Sequence, residues 1–296
     1  MRIATWNVNS LKARLEKVSW WLDRAQPDVL LVQETKLADA AAPVDAFRDA
    51  GYQLAHHGEG RWNGVAIATR LGLADVVTNF GEPRRPARTP EVGDDEPLAE
   101  ARMIAATCEG VCVVSVYAPN GRSVGSPFYE AKLVWYERLA RWLGETTTPE
   151  QALVIGGDFN VAPDESDVWD PVAVHGGTHV SARERDAFAG LLRWGLVDAY
   201  RLRHPEPGRY TWWDYRAGDF HKNFGMRIDH LLVTRPVADR VVWSEIDREA
   251  RKGKPIPSDH APLVIDLDGP GRPFDAGWSA AEERIAARLA KPPVRP

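Results

Sequence analysis

The sequence predicts an α/β sandwich built on mixed or antiparallel sheets, and two observations carry that expectation. Short apolar runs rich in Val, Ile and Leu recur along the 296 residues, with helical patterns between them. Polar groups then sit at the ends of those runs. Some lie at C-terminal strand ends (Asn7, Asn9, Glu34, Tyr117, Asn120, Asp158, Asn160), others at N-terminal starts (Asp229, Asp259, His260). If all of them face one site, the strands cannot all run the same way. That argues against a doubly wound parallel sheet, where ligands gather at C-terminal strand ends only.

The elements follow in order. RIATWNV (2–8) reads as a strand and residues 11–25 as an amphipathic helix. DVLLVQE (28–34) and GVAIATR (64–70) read as strands. MIAATC and VCVVSVYAPN (103–120) form a hairpin turning at Glu109-Gly110. Residues 127–143 are helical with aromatics on the buried side. ALVIGGDFN (152–160) is a strand whose end should project Asp158 and Asn160 together, since side chains two apart on an extended chain point the same way. SARERDAFAGLLRWG (181–195) is a helix ended by Gly195. RIDHLLVT (227–234) and APLVIDL (261–267) are strands. Residues 81–100, rich in Pro and charge, read as a mobile loop. We expect one domain over residues 1–268. Residues 269–296 form a tail opened by GPGRP, with a short helix capped by Ser279 and Glu282.

Composition narrows the class. Hydrophobic residues at 44% and charged residues at 27% fit a soluble globular protein, and no apolar stretch reaches membrane-spanning length. No signal peptide is visible. Cys108 and Cys112 are too few for a disulfide scaffold or a zinc site, so they read as reduced core thiols of a cytoplasmic protein. The net charge of −5 does not advertise a nucleic-acid binder, but overall charge is a poor guide where acidic groups gather at a metal site.

The polar strand ends carry the chemistry. Glu34, Asp158, Asp259 and the amide oxygens of Asn7 and Asn9 are the oxygen ligands that a hard cation such as Mg²⁺ takes, with Mn²⁺ as the second choice. His260 has Asp229 as a carboxylate to orient it. A carboxylate-rich metal site with a histidine suits phosphodiester hydrolysis. Each residue alone is more simply a cap or turn; together they supply the groups that one reaction needs. His175 and His179 lie in the glycine-rich loop HGGTH and His56-His57 precedes a loop, so none is given a metal.

WNVNSLKAR (6–14), QETK (33–36), VYAPN (116–120), GGDFNVAP (156–163), TWWDYR (211–216), RIDHLLV (227–233) and SDHAP (258–262) together resemble the exonuclease III family of AP endonucleases, in family order across residues 1–268. The wider superfamily includes DNase I-like nucleases. The resemblance implies a four-layer α/β sandwich of two mixed sheets and a Mg²⁺-dependent DNA repair nuclease. Such an enzyme cuts 5′ to abasic sites and also acts as a 3′–5′ exodeoxyribonuclease that cleans 3′ ends. By position, Glu34 resembles the principal metal ligand, with Asn7, Asn9 and Asp259 in or near the metal shell. Asp158 resembles the group that orients or deprotonates water, with Asn160 beside it. His260 resembles the phosphate-contacting histidine and Asp229 its partner. Tyr117 and Asn120 match groups around the scissile phosphate. The base is Asp158 or His260, and one metal or two act.

Trp212, Met226 and Ile228 match an apolar pocket for an extruded baseless sugar. Arg122, just after the Asn120-Gly121 turn, is a candidate to enter the DNA groove near the lesion. Lys36, Arg61 and Lys222 are candidates for phosphate contacts along the duplex. The expected partner is double-stranded DNA with abasic sites or 3′ ends, and the expected state a monomer. Two rival readings stand beside this one: a superfamily phosphodiesterase acting on RNA, a phosphoinositide or a sphingolipid, and a nucleic-acid-binding relative without activity.

Overall fold

The computed structural model describes residues 1–81, 101–274 and Ile285. Twelve strands run through them: β1 (Arg2–Asn7), β2 (Val29–Gln33), β3 (Gln53–His57), β4 (Val65–Thr69), β5 (Ala74–Thr78), β6 (Met103–Cys108), β7 (Val111–Tyr117), β8 (Leu153–Asp158), β9 (Leu196–Asp198), β10 (Asp229–Thr234), β11 (Val241–Ile246) and β12 (Leu263–Leu267). The helices are α1 (Leu11–Ala25), α2 (Val44–Asp49), α3 (Pro127–Thr146), α4 (Ala182–Trp194), α5 (Asp219–Lys222) and α6 (Arg235–Ala238). The loop expected at 81–100 and the tail helix expected from Ser279 fall outside the described residues, Gly81 and Ile285 apart. No helix among the described residues is long and apolar enough to cross a membrane.

The strands form two six-stranded sheets, ordered β11-β12-β1-β2-β4-β3 and β5-β6-β7-β8-β10-β9. Each has a single parallel pair, β1 with β2 and β7 with β8; every other pairing is antiparallel. The sheets are mixed, as the strand ends of both polarities require.

Both faces of the central strands are covered, which is why they read as continuous apolar runs. Ile3, Leu31, Ile67, Val113, Val154, Leu231 and Ile265 point inward and pack between the sheets. Ala4, Leu30, Val32 and Val264 point outward onto Val18, Trp21 and Leu22 of α1. Val114, Val116, Ile155 and Leu232 point outward onto Trp135, Leu139 and Leu143 of α3 and onto Phe188 and Leu191 of α4. Helix, sheet, sheet and helix make four layers. Cys108 faces the core between the sheets and Cys112 the outer one, and both thiols are free.

Toward one rim the inter-sheet layer turns polar. Gln33 of β2 donates to Ser115 Oγ of β7 at 3.0 Å, and Ser115 Oγ donates on to the Val32 carbonyl at 3.0 Å. Gly156 lets the sheets close together there: a Cβ at this position would lie 2.5 Å from Leu31 Cδ1 and 2.6 Å from Leu231 Cδ2. We predict that Gly156→Ala destabilises the fold by about 1–3 kcal/mol through overpacking, read as a lowered urea midpoint at unchanged slope.

Candidate active site

The rim is built by strand register. Asp158, the last residue of β8, pairs with Asp229, the first of β10, and with Tyr117, the last of β7. Asn7 ends β1 in the other sheet, beside Gln33 at the end of β2. Four strands end here and one begins, so their polar termini converge.

Two short loops then turn on the same device. Asp158 Oδ1 accepts from the Asn160 N–H at 2.8 Å, and Asn7 Oδ1 accepts from the Asn9 N–H at 3.0 Å. Each side chain closes a turn on the residue two ahead. Asn160 (φ 51°) and Asn9 (φ 46°) take the left-handed conformation that asparagine tolerates best among residues with a Cβ. The extended geometry expected for Asp158 and Asn160 is therefore replaced by a turn. The Asn160 amide swings away, donating to the Ala118 carbonyl at 2.9 Å and accepting from Asn120 at 3.2 Å.

The turn also sets which atoms the asparagines present. Asn7 Oδ1 is committed to a backbone N–H, so its nitrogen faces the carboxylates, donating to Glu34 at 2.8 Å and Asp158 Oδ2 at 2.9 Å. Asn9 donates to Asp259 at 2.9 Å, and its oxygen accepts from Lys36 Nζ at 2.6 Å. The amide oxygens expected in a metal shell are thus engaged elsewhere. Lys36, expected on DNA phosphates, is paired with Glu34 at 2.8 Å.

Glu34, Asp158 and His260 each bring one ligand atom within 4.8 Å of the others. Asp259 stands beside this trio, its oxygens accepting from Asn9 and from Trp212 Nε1 at 3.2 Å. Tyr117, hydrogen-bonded to Glu34, has its hydroxyl pushed well above the usual tyrosine range by burial and then by the Glu34 carboxylate. His260 Nδ1 donates to Asp229 Oδ2 at 2.8 Å, and its Nε2 lies 3.9 Å from Asp158.

Burial alone would lower the His260 pKa, but Asp229, with Asp158 and Asp259, raises it to about 10. Burial pushes Asp158 up; His260 opposes, the Asp229 and Glu34 carboxylates add, and the result is about 7. The imidazole is therefore cationic at neutral pH, and the oxygens of Glu34 and Asp158 are the donors that fit a hard divalent cation.

The expected sugar pocket is a small apolar cluster. Trp212 and Met226 pair through their backbones and pack half-buried over Ile228, Val168, Val180 and Ala162. Ile228 is buried and forms its floor. Arg122 is exposed and lies over the Phe128 ring at 3.5 Å; Lys222 and Arg61 are exposed.

A buried ion pair supports the rim and was missed in the sequence. Lys132 of α3 and Glu184 of α4, both side chains at 0% exposure, meet at 2.5 Å. Lys132 also donates to the carbonyls of Asn160 at 2.6 Å and Asn120 at 3.4 Å. Glu184 accepts from Thr178, the His179 N–H, and Ser181 in a capping box. His179, set aside as a loop residue, donates through Nδ1 to the Asn160 carbonyl at 2.6 Å. Ser181 followed by Glu184 was the signal that could have found this hub.

The endonuclease/exonuclease/phosphatase family profile matches residues 4–260. The chain belongs to that family. It is of the exonuclease III type, a DNA repair nuclease and so a hydrolase. Exodeoxyribonuclease III of Haemophilus influenzae is 30% identical over 282 residues, covering 90% of this chain and all of the relative. A Neisseria 3′ phosphatase bound to a product DNA hairpin is 38% identical with a TM-score of 0.81, covering 91% of this chain and 100% of that one. An AP endonuclease from Archaeoglobus fulgidus is 36% identical with a TM-score of 0.82 at the same coverage.

Removing one member of a buried ion pair strands the other. For this nuclease we expect Lys132→Met to cost about 3–5 kcal/mol, and Lys132→Met with Glu184→Leu together to recover much of that, both read by chemical denaturation.

Proposed function

We propose that the chain hydrolyses DNA phosphodiesters with Mg²⁺, cutting 5′ to abasic sites and removing blocked or terminal nucleotides at 3′ ends. The observation that carries the proposal is the pairing of buried Asp158 with cationic His260 beside Glu34. Mn²⁺ would serve the same oxygen donors.

The chain's own groups divide the work. Asp158, fixed by the Asn160 N–H on one oxygen and by Asn7 on the other, is placed to orient an attacking water or take its proton. His260 is charged and oriented by Asp229, so it can donate to a phosphate oxygen as negative charge grows there. Asn160, turned by the Asp158 carboxylate and held through its carbonyl by Lys132 and His179, presents its amide next to Asn120 on the same side. Tyr117 closes the site above Glu34. A cation held by the Glu34 and Asp158 oxygens would neutralise phosphate charge and stabilise the leaving oxygen.

Abasic incision and 3′-end removal are the same cleavage with different groups in the pocket of Trp212, Met226 and Ile228. These side chains form an apolar surface, which suits a bare deoxyribose. The relatives named a 3′ phosphatase and an AP endonuclease stand at nearly equal identity, so the balance between the two activities is a matter for substrates.

The test uses two duplexes, one with an internal abasic analogue and one with a nick bearing a 3′-phosphate. Cleavage of either with Mg²⁺, abolished by EDTA, is expected. Asp158→Asn and His260→Ala should each lower the rate about 10²–10⁴-fold in folded protein. Variants as fast as the parent would show that the reaction runs elsewhere. A second expectation concerns protons. Asp158 is largely protonated below about pH 7 in the metal-free chain, and a bound cation favours its ionised form. Mg²⁺ addition should therefore release more protons at about pH 6 than at about pH 9, measured with an indicator dye in weak buffer.

A further inference from the structure

The turn that leaves β2 is strained in an unusual way. Glu34 (φ 52°) and Lys36 (φ 53°) both take the left-handed conformation, with Thr35 between them. A residue with a Cβ costs about 1–2 kcal/mol in that region, so the surroundings must hold the turn in place. Part of the hold is backbone: Ser10 N–H donates to the Glu34 carbonyl at 2.7 Å, and Lys36 N–H to the Asn63 carbonyl at 2.8 Å. The other part is a side-chain relay. His56 Nε2 lies 2.8 Å from Thr35 Oγ1, and His56 Nδ1 lies 2.7 Å from Asp39 Oδ1, which also accepts the Gly58 N–H at 2.7 Å.

Chemistry fixes the direction of that relay. A carboxylate only accepts, so Nδ1 carries the proton; Nε2 then accepts, and the Thr35 hydroxyl donates. The order of groups is that of a hydrolytic triad, but Thr35 is fully buried and no nucleophile. Gly64 is pressed so closely on it that a Cβ there would collide with Thr35 Oγ1, and a Cβ at Gly58 would collide with the Leu37 carbonyl and with the His56 ring. Burial, and after it His57, lower the His56 pKa to about 4, so the ring is neutral at neutral pH.

We propose that His56, clamped by Asp39, is a positioning residue that fixes Thr35 and through it aims the Glu34 carboxylate at the metal. The inference rests on the reading of Glu34 as a metal ligand. Without the clamp the turn is free to relax toward unstrained dihedrals, and Glu34 would leave its contacts with Asn7 and Lys36. Groups that orient a ligand from behind in this way typically contribute about 10–100-fold to metal affinity.

The test is binding of Mn²⁺ alone, with no DNA, counted from the EPR signal of the free ion. Thr35→Val and Asp39→Ala should each raise the dissociation constant about ten-fold or more, while Thr35→Ser, which keeps the hydroxyl, should stay within about two-fold of the parent. The Asp39 side chain is 29% exposed, so its variant decides the matter if Thr35→Val does not fold. Glu34→Gln is the reference. If Glu34→Gln weakens binding while Thr35→Val and Asp39→Ala bind like the parent, the clamp is refuted and the metal site stands. If Glu34→Gln itself binds like the parent, the metal reading fails and takes the clamp with it.

Discussion

A carboxylate at 1% exposure needs donors, and Asp158 takes them from both sheets. One oxygen is held by the Asn160 N–H of its own loop, the other by Asn7 at the end of β1 across the sandwich. Asp229 is its register partner and a further negative charge, answered by His260. An unpaired charge in that position would carry a desolvation penalty large against the whole stability of a domain. The sheets therefore meet at this rim in one relative position only, and the polar bridge from Gln33 to Ser115 leads from that rim into the apolar interior.

How much of the fold could be read follows from which strands the sandwich covers. Every central strand was legible, because covering on both faces demands an unbroken apolar run. The strands left unread, β3, β5, β9 and β11, are the four edges of the two sheets. Half-solvated edges carry polar residues freely, as in QLAHH of β3 and ADVVT of β5, and three-residue β9 is too short for any period. The short α2 had no periodic length to show. The Glu109-Gly110 turn was readable because two consecutive positive φ angles leave few residue choices.

The site divides in the same way. Residue types at strand ends were enough to gather Glu34, Asp158, Asp229 and His260. Which atom each side chain presents was not, because that depends on backbone turns. Once Asn7 Oδ1 closes a turn, only its nitrogen is left to face the carboxylates, and no spacing rule reports it. Lys132 and Glu184 lie in helical patterns where charged residues normally mean solvated surface. Only the tertiary meeting of α3 and α4 over the Asn120 and Asn160 loops makes them interior. His56, read as preceding a loop, and His179, read in a glycine-rich one, were set aside as metal ligands; His56 bonds Thr35 and His179 the Asn160 carbonyl, each beside a left-handed turn residue.

The division of acid from base follows from placement rather than from residue identity. Asp158 and His260 share one buried space, and burial acts on both in the direction of neutrality. Their titrations move apart because Asp229 contacts only the histidine. Its Oδ2 binds His260 Nδ1, its Oδ1 is buried without a hydrogen-bond partner, and its charge holds the proton on the imidazole while repelling ionisation of Asp158. With Asp229 made apolar, His260 would lose its largest raising influence and its pKa would fall, while Asp158 would lose a repelling carboxylate. One residue of β10, in register with the end of β8, therefore sets the protonation state of two others and makes a carboxylate near neutrality and a cationic imidazole available together.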